Sequence, residues 1–126
     1  MRYLLDSNII IRLTMASGDV LRARAAECDN GDLVTSAIAL AEVAYGSAQG
    51  KLPALEQLRA FLEEVPVLDF DLKAALAYAS LPFRRAGYDR LIAAHALSQE
   101  LIVVTDNVAH FADVPGLKVE NWTLPA

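Results

Sequence analysis

The chain has 126 residues, 55% of them hydrophobic, and a formal net charge of -5 from 16 acidic and 11 basic residues. This length and composition favour one folded domain, 1–126, with a sizeable apolar core, and exclude a disordered chain. An acidic chain lacks the broad basic surface that usually coats nucleic acid, so any such contact must be local or bridged by cations. The single cysteine, Cys28, excludes an intrachain disulfide.

No apolar run approaches the roughly 18 residues that a membrane span requires. The first apolar run is interrupted by Asp6, which is not the pattern of a signal peptide. We therefore expect a cytoplasmic protein with no membrane partner.

Strand-like and helix-like patterns alternate along the chain. In chain order they predict a strand at 2–5, helices at 9–15 and 20–28, a strand at 32–35, helices at 37–49 and 53–64, a strand at 65–70, helices at 72–83 and 89–99, a strand at 101–105, a short helix at 107–111 and a last strand at 117–119. Asp19, Ser36 and Asp71 are expected to cap helices. This alternation predicts an α/β fold with a mainly parallel central sheet flanked by helices.

Two of the predicted strands end in an acid. Asp6 follows the first strand and Asp106 follows the strand at 101–105, and each has an asparagine within two residues after it. Ligands of open α/β sheets bind beyond the carboxyl ends of the strands, where both acids are expected. Aspartate is also a preferred N-cap, and that role alone is the competing interpretation of either residue.

Two further acids stand out by their surroundings. Glu42 lies about a turn and a half inside the helix that contains ALAEVAYG, too deep to cap it. Ile38 and Tyr45, at i-4 and i+3, do not mark a plainly solvated face. Asp89 begins DRLIAAHA, whose other side is apolar, although a cap is again the alternative.

Four clustered carboxylates repel one another unless cations neutralise them. Mg²⁺ and Mn²⁺ prefer oxygen ligands, and two such ions about 3.5–4 Å apart can promote phosphodiester hydrolysis. Polar side chains that are candidates to orient the acids or bound water are Ser7, Asn8, Thr105 and Asn107. The pattern therefore favours a metal-dependent hydrolase.

Four segments carry a resemblance to one family. DSN after a short N-terminal strand resembles the D-[ST]-N opening of the PIN-domain nucleases. TSAIALAEVAYG, YDRLIAAHA and VVTDN followed by HFADVPGLKVENW look like their later conserved segments, in the same order. The resemblance spans essentially the whole chain and is closest to the VapC-type toxins of bacterial toxin–antitoxin pairs.

The resemblance implies an Mg²⁺- or Mn²⁺-dependent endoribonuclease. The acids that would be catalytic metal ligands are Asp6, Glu42, Asp89 and Asp106. Water rather than the ribose 2′-OH would attack, leaving a 5′-phosphate and a 3′-hydroxyl. The resemblance further implies a homodimer and an antitoxin whose C-terminal arm enters the acidic cleft, with operator DNA bound through the antitoxin.

One departure from the family concerns residues 78–88, YASLPFRRAGY, which form a shorter stretch than relatives usually have. Either the loop is naturally trimmed or a segment is missing there. Pro82 and Gly87 argue against one continuous helix through this region.

Basic and imidazole side chains are the remaining candidates. Arginines considered for contacts to RNA phosphates are Arg84, Arg85, Arg90 and Arg12, with ordinary solvated surface as the alternative. His95 and His110 are expected to be packed or surface residues rather than general bases.

Two rival interpretations belong to other functional classes. A phospho-receiver signalling domain has a similar length and an acidic Mg²⁺ pocket, but it needs paired acids after the first strand and a late lysine. Here Asp6 stands alone, and Thr105 and Asp106 occupy the late position. The other rival is a PIN module that binds RNA or a partner without catalysis; the presence of all four acids argues against it.

Overall fold

The computed structural model describes residues 2–82 and 87–125. Within these ranges the strands are β1 (Tyr3–Leu5), β2 (Leu33–Ser36), β3 (Val67–Leu68), β4 (Ile102–Val104) and β5 (Val119–Glu120). The helices are α1 (Ser7–Thr14), α2 (Asp19–Ala26), α3 (Ala37–Ala48), α4 (Leu55–Leu62), α5 (Leu72–Ala79) and α6 (Tyr88–Gln99), with a 3-10 helix at Val108–His110. The predicted alternation of strands and helices is confirmed.

All five strands run parallel, in the order β3-β2-β1-β4-β5. In the central strand β1, Leu5 lies opposite Thr35 of β2 on one side and Val104 of β4 on the other. The chain builds β2 and β3 outward from β1 and then crosses to the other side for β4 and β5. The order therefore reverses between β1 and β4, and ligands of open α/β sheets bind at such a switch point.

The central strands are buried on both faces, which explains their continuous apolar sequence. Leu4 and Leu5 of β1 and Val103 and Val104 of β4 have no solvent exposure. Helix α6 is the most deeply packed helix, with the run 92–96 fully buried. The carboxyl ends of β1 and β4 are thus held in a rigid core, and the residues that follow them start from fixed positions.

Four helices start one or two residues from their predicted positions, α1, α2, α4 and α6, and α4 begins at Leu55 rather than at 53. α1 begins at Ser7 rather than at 9, because the side chain of Asp6 accepts a hydrogen bond from the Ser7 N–H and caps the helix. Asp19 is the first residue of α2, and Gly18, at φ +95°, precedes the helix. The predicted cap at Asp19 is therefore wrong, since the glycine provides a backbone conformation that aspartate adopts only with strain.

Two other predicted caps are confirmed. The Ser36 hydroxyl accepts from the Ile38 N–H at 3.1 Å, and Asp71 accepts from the Ala74 N–H at 3.0 Å. α5 ends at Ala79, short of its predicted end at 83, which lies outside the described residues. None of the helices in the described ranges is long and apolar enough to cross a membrane.

Candidate functional site

Asp6 stands at the carboxyl end of β1 and is only 3% exposed. Its N–H donates to the Val104 carbonyl at 3.0 Å, which extends the β1–β4 ladder to the switch point. Its Oδ1 accepts from the Ser7 N–H at 2.8 Å, and its Oδ2 accepts from the Thr105 hydroxyl at 2.8 Å. Asp6 is thus a helix cap and also a buried acid at the switch point, so the two interpretations of this residue are compatible.

Burial raises the pKa of Asp6. The hydrogen bonds from Thr105 and Ser7 oppose this rise, and the carboxylates of Asp89 and Asp106 add to it. Acids from three distant parts of the sequence therefore lie within electrostatic reach of one another.

Glu42 lies on α3 and is half-buried. Burial, together with the charges of Asp6 and Asp89, raises its pKa to about 7, while hydrogen bonding from Ser7 opposes the rise. Its Oε1 is buried and has no hydrogen-bond partner in the part of the chain that the structure describes. Buried polar atoms are nearly always paired, so this oxygen indicates a position that a cation or a hydrogen-bond donor would occupy.

Asp89 is the second residue of α6, Gly87 is the N-cap, and no described side chain caps this helix, so the cap interpretation does not hold for Asp89. Its Oδ2 lies 2.7 Å from Nδ1 of His110, in the 3-10 helix that follows β4. A carboxylate can only accept, so His110 carries its proton on Nδ1 when it makes this bond. The sequence interpretation missed this contact. The available signal was the position of His110, four residues after Asp106 at the same edge of the sheet.

Asp106 follows β4 by two residues, and both of its oxygens have partners. Oδ2 accepts from Arg12 Nε at 3.2 Å and from Arg12 Nη2 at 3.1 Å. Oδ1 accepts from Asn8 Nδ2 at 3.3 Å. Asn8 and Arg12 are one helical turn apart on α1, so one face of this helix holds the fourth acid. The structure pairs Arg12 with an acid, whereas the sequence considered it only as a phosphate contact.

The four neighbouring polar residues singled out from the sequence all lie around these acids. Ser7 and Thr105 hydrogen-bond Asp6, and Asn8 hydrogen-bonds Asp106. The N–H of Asn107 donates to the Thr105 hydroxyl oxygen at 3.0 Å, which orients that hydroxyl toward Asp6.

Arg90 does not occupy the exposed position that a phosphate contact requires. It is 6% exposed, donates through Nη1 to Asp113 at 3.1 Å, and donates through Nη2 to the Pro82 carbonyl. These contacts correct the sequence interpretation, because its guanidinium secures the start of α6 within the fold. Arg84 and Arg85 lie outside the described residues, as does part of the shortened stretch at 78–88.

His95 is buried, and the expectation that it is packed is confirmed. Its Nδ1 lies 2.7 Å from the Ser36 hydroxyl oxygen, and its ring packs edge-on to Phe70. Burial lowers the pKa of His95, with the charges of Asp71 and Asp69 opposing the shift.

Metal binding can be assessed from the donor atoms of the four acids. As the side chains stand, no three carboxylate, thiol or imidazole groups in ranges 2–82 and 87–125 converge closely enough to hold one ion. The donor set nonetheless suits a hard cation, since it consists of carboxylate oxygens. The unpartnered Glu42 Oε1 and the raised pKa values of Asp6 and Glu42 both indicate missing positive charge. The residues therefore fit a divalent ion by their chemistry.

Comparisons with known proteins agree with this architecture. The model of the PIN domain family matches residues 3–117. A tRNA(fMet)-specific endonuclease VapC from Salmonella typhimurium is 30% identical over 131 residues, covering 97% of this chain and 98% of the relative. The protein of the same name from Shigella flexneri is 31% identical over 132 residues, covering 98% and 99%. Ribonuclease VapC2 from Rickettsia felis is 31% identical over 132 residues, covering 97% and 98%.

Solved structures show the same fold over the same extent. VapBC2 from Rickettsia felis, bound to a DNA fragment from its promoter, gives a TM-score of 0.86 at 28% identity, covering 97% of this chain and 99% of the other. DNA-bound VapBC from Salmonella typhimurium gives 0.80 at 28% identity, covering 97% and 98%. VapBC-1 from nontypeable Haemophilus influenzae gives 0.79 at 31% identity, covering 98% and 100%.

Proposed function

Because the chain belongs to the PIN domain family and to its VapC ribonucleases, we propose that it is the metal-dependent endoribonuclease toxin of a toxin–antitoxin pair. The support for the metal-dependent part is that the charges of Asp89 and Asp106 act on Asp6, and those of Asp6 and Asp89 act on Glu42, whose buried Oε1 has no partner among the described residues. The reaction is hydrolysis of RNA phosphodiester bonds.

The four acids would hold one or two Mg²⁺ or Mn²⁺ ions: Asp6, Glu42, Asp89 and Asp106. When bound, such an ion supplies Lewis-acid stabilisation of phosphate charge and makes water a better nucleophile at neutral pH. The chain's own part is to orient the carboxylates. Thr105 holds Asp6 by a hydrogen bond from its hydroxyl, and His110 holds Asp89 through Nδ1.

Glu42 controls how readily the site accepts a cation near neutral pH. With a pKa of about 7, its carboxyl is about half protonated at that pH in the metal-free protein. The carboxyl must lose this proton to become a ligand, so cation binding and proton release at Glu42 are coupled. Attack by water leaves a 5′-phosphate and a 3′-hydroxyl.

The proposed partner is an antitoxin, since the three solved structures compared above are VapBC complexes and two of these three hold DNA. An arginine on the antitoxin's C-terminal arm would pair with the acidic cleft, because a guanidinium matches carboxylate geometry and competes with metal. The net charge of -5 favours such a partner. Operator DNA would be bound through the antitoxin.

A homodimer is proposed as the toxin's own assembly. Leu72 and Leu76 of α5 are 74% and 61% exposed, and Tyr45 of α3 is 70% exposed. Leu72 and Leu76 are one helical turn apart and share one exposed apolar face of α5, and such a face favours a protein–protein contact.

The test is cleavage of total RNA by purified protein freed of any bound partner, with Mg²⁺ or Mn²⁺ and an EDTA control. Asp6→Asn should lose cleavage by about 100-fold or more, since the amide is a poor metal ligand while it still caps α1. Asp19→Asn is the matched control, because Asp19 is a fully exposed acid on α2 and its loss should leave cleavage unchanged.

The product ends test the mechanism separately. Products should carry 5′-phosphate and 3′-hydroxyl ends, and a 2′,3′-cyclic phosphate would contradict attack by water. A protein that binds RNA but cuts none, with metal present and partner removed, would support the non-catalytic module instead. The family match already argues against a phospho-receiver domain.

A further inference from the structure

The ion pair between Arg12 and Asp106 sets the fourth acid apart from the other three. Two guanidinium nitrogens of Arg12 donate to the same oxygen of Asp106, at 3.2 and 3.1 Å, and Asn8 donates to the other oxygen at 3.3 Å. Within the described ranges, Arg12 is the only lysine or arginine that pairs with any of the four acids. Among the residues that the structure describes, the fixed positive charge of the site is therefore concentrated at Asp106.

Within the described ranges, the other three acids pair with no lysine or arginine. Asp6 accepts from two neutral donors, the Ser7 N–H and the Thr105 hydroxyl. Oε1 of Glu42 is buried and accepts from no group in residues 2–82 and 87–125. Asp89 contacts the imidazole of His110, whose charge depends on protonation. The shortage of positive charge thus lies at these three acids and not at Asp106.

Helix α1 fixes the position from which the Arg12 side chain extends. Asp6 caps α1, and Ile9 and Ile10 on the same helix have no solvent exposure. The helix is therefore fixed against the end of β1, and the Arg12 side chain reaches Asp106 from an anchored base. An arginine guanidinium is a permanent cation, unlike an imidazole.

We propose that the Arg12 guanidinium occupies the cation position at Asp106, so that this chain binds one divalent ion, at Asp6, Glu42 and Asp89, rather than two. A dication placed on Asp106 would have to displace a charge-assisted pair or sit beside a fixed positive charge, and either is unfavourable. Arg12 is in this view a positioning residue that sets the number of ions. The inference rests on the proposed function, which supplies the metal site itself.

The test counts Mn²⁺ ions per chain. Metal-free protein is titrated with Mn²⁺, and the free ion is followed by its electron paramagnetic resonance signal. The parent should bind one Mn²⁺. Arg12→Gln should bind a second, at least about tenfold more tightly than any second ion in the parent, and give the broadened signal of two neighbouring Mn²⁺ ions. Arg12 is about two-fifths exposed, so the substitution leaves no buried cavity.

Two matched variants separate charge from other effects. Arg12→Lys keeps the positive charge and should bind one ion, as the parent does. Arg22→Gln removes an equal charge from α2, where Arg22 pairs with the exposed Asp19, and should also bind one ion.

The inference is overturned if the parent binds two ions, if Arg12→Gln still binds one, or if Arg12→Lys gains a second ion. The two proposals fail in different ways. If the parent cleaves RNA with Mn²⁺ and binds the same number of ions as Arg12→Gln, the proposed role of Arg12 is wrong and the proposed function stands. If the parent binds no Mn²⁺ and cleaves no RNA, both the proposed metal site and the proposed role of Arg12 are wrong.

Discussion

Thr105 donates its hydroxyl proton to Oδ2 of Asp6 over 2.8 Å, although 99 residues separate the two in the chain. The same hydroxyl oxygen accepts from the Asn107 N–H at 3.0 Å. This second bond leaves the Thr105 proton directed at Asp6. One buried hydroxyl therefore joins the ends of β1 and β4 and fixes the orientation of the first acid.

Thr105→Val should test this link, because valine has nearly the same shape and lacks the hydroxyl. We expect the free energy of unfolding to fall by about 1–3 kcal/mol, since the Asn107 N–H and Asp6 Oδ2 each lose a partner. We expect RNA cleavage to fall by about tenfold or more, because Asp6 is then free to rotate. Denaturant unfolding and cleavage rates measure the two effects. Thr105→Ser should restore most of both, and a fully active valine variant would contradict the role.

Glu42→Gln should stabilise the metal-free protein at pH 8. The folded-state pKa of Glu42 is about 7, against an ordinary value of 4.5. The folded protein therefore binds more protons than the unfolded chain between these values, so Glu42 lowers stability as pH rises through this window. At pH 8 the whole unfavourable effect is present. Allowing for solvent screening, the variant should gain about 1–2 kcal/mol.

The same pair of proteins at pH 5.5 provides the control for Glu42. There the carboxyl is mostly protonated in the folded state, and the gain from glutamine should shrink by about half or more. Taking the difference between variant and parent at each pH also removes the effect of His95. Its lowered pKa acts in the opposite sense and reduces stability as pH falls below about 6.5. A gain that is equal at both pH values would contradict the raised pKa of Glu42.

The positions of these acids could be predicted from the sequence to the extent that they depend on local pattern. Strand ends, the rule that ligands bind beyond the carboxyl ends of strands, and the family resemblance predicted that Asp6, Glu42, Asp89 and Asp106 belong to one site. The pairings across the site could not be predicted. Arg12 meets Asp106 and His110 meets Asp89 only because the strand order β3-β2-β1-β4-β5 brings α1 and the 3-10 helix together. Such contacts depend on side-chain directions that periodicity does not specify.

Arg90 illustrates the opposite error, since a surface role was inferred from a charged residue beside an acid. Its pairing with Asp113, 23 residues later, fills a polar site inside the fold. Local composition carries no information on such a distant partner. Burial of a charge is predictable only once its partner is known.

Asp113→Ala should therefore lower stability without removing catalysis. Arg90 is 6% exposed, and loss of its ion-pair partner leaves a buried charge poorly compensated. We expect the free energy of unfolding to fall by about 2–4 kcal/mol. Below the lowered melting temperature, cleavage per folded molecule and the salt dependence of RNA binding should match the parent. If Arg90 instead contacts RNA, Asp113→Ala would change the salt dependence of RNA binding and leave the free energy of unfolding at the parent's value.

His110→Ala should weaken metal binding while leaving the fold intact. His110 donates from Nδ1 to Asp89 Oδ2 at 2.7 Å, and its side chain is about two-fifths exposed. Partners that orient a ligating carboxylate typically contribute about 10–100-fold to metal affinity, and we expect a loss of Mn²⁺ affinity in that range. The free energy of unfolding should change by less than about 0.5 kcal/mol, as is usual for exposed positions. His110→Asn is the matched variant, because the asparagine Nδ2 can donate from nearly the same place as the histidine Nδ1. It should retain affinity within about threefold of the parent, and equal losses in both variants would show that the imidazole acts on Asp89 by something other than this hydrogen bond.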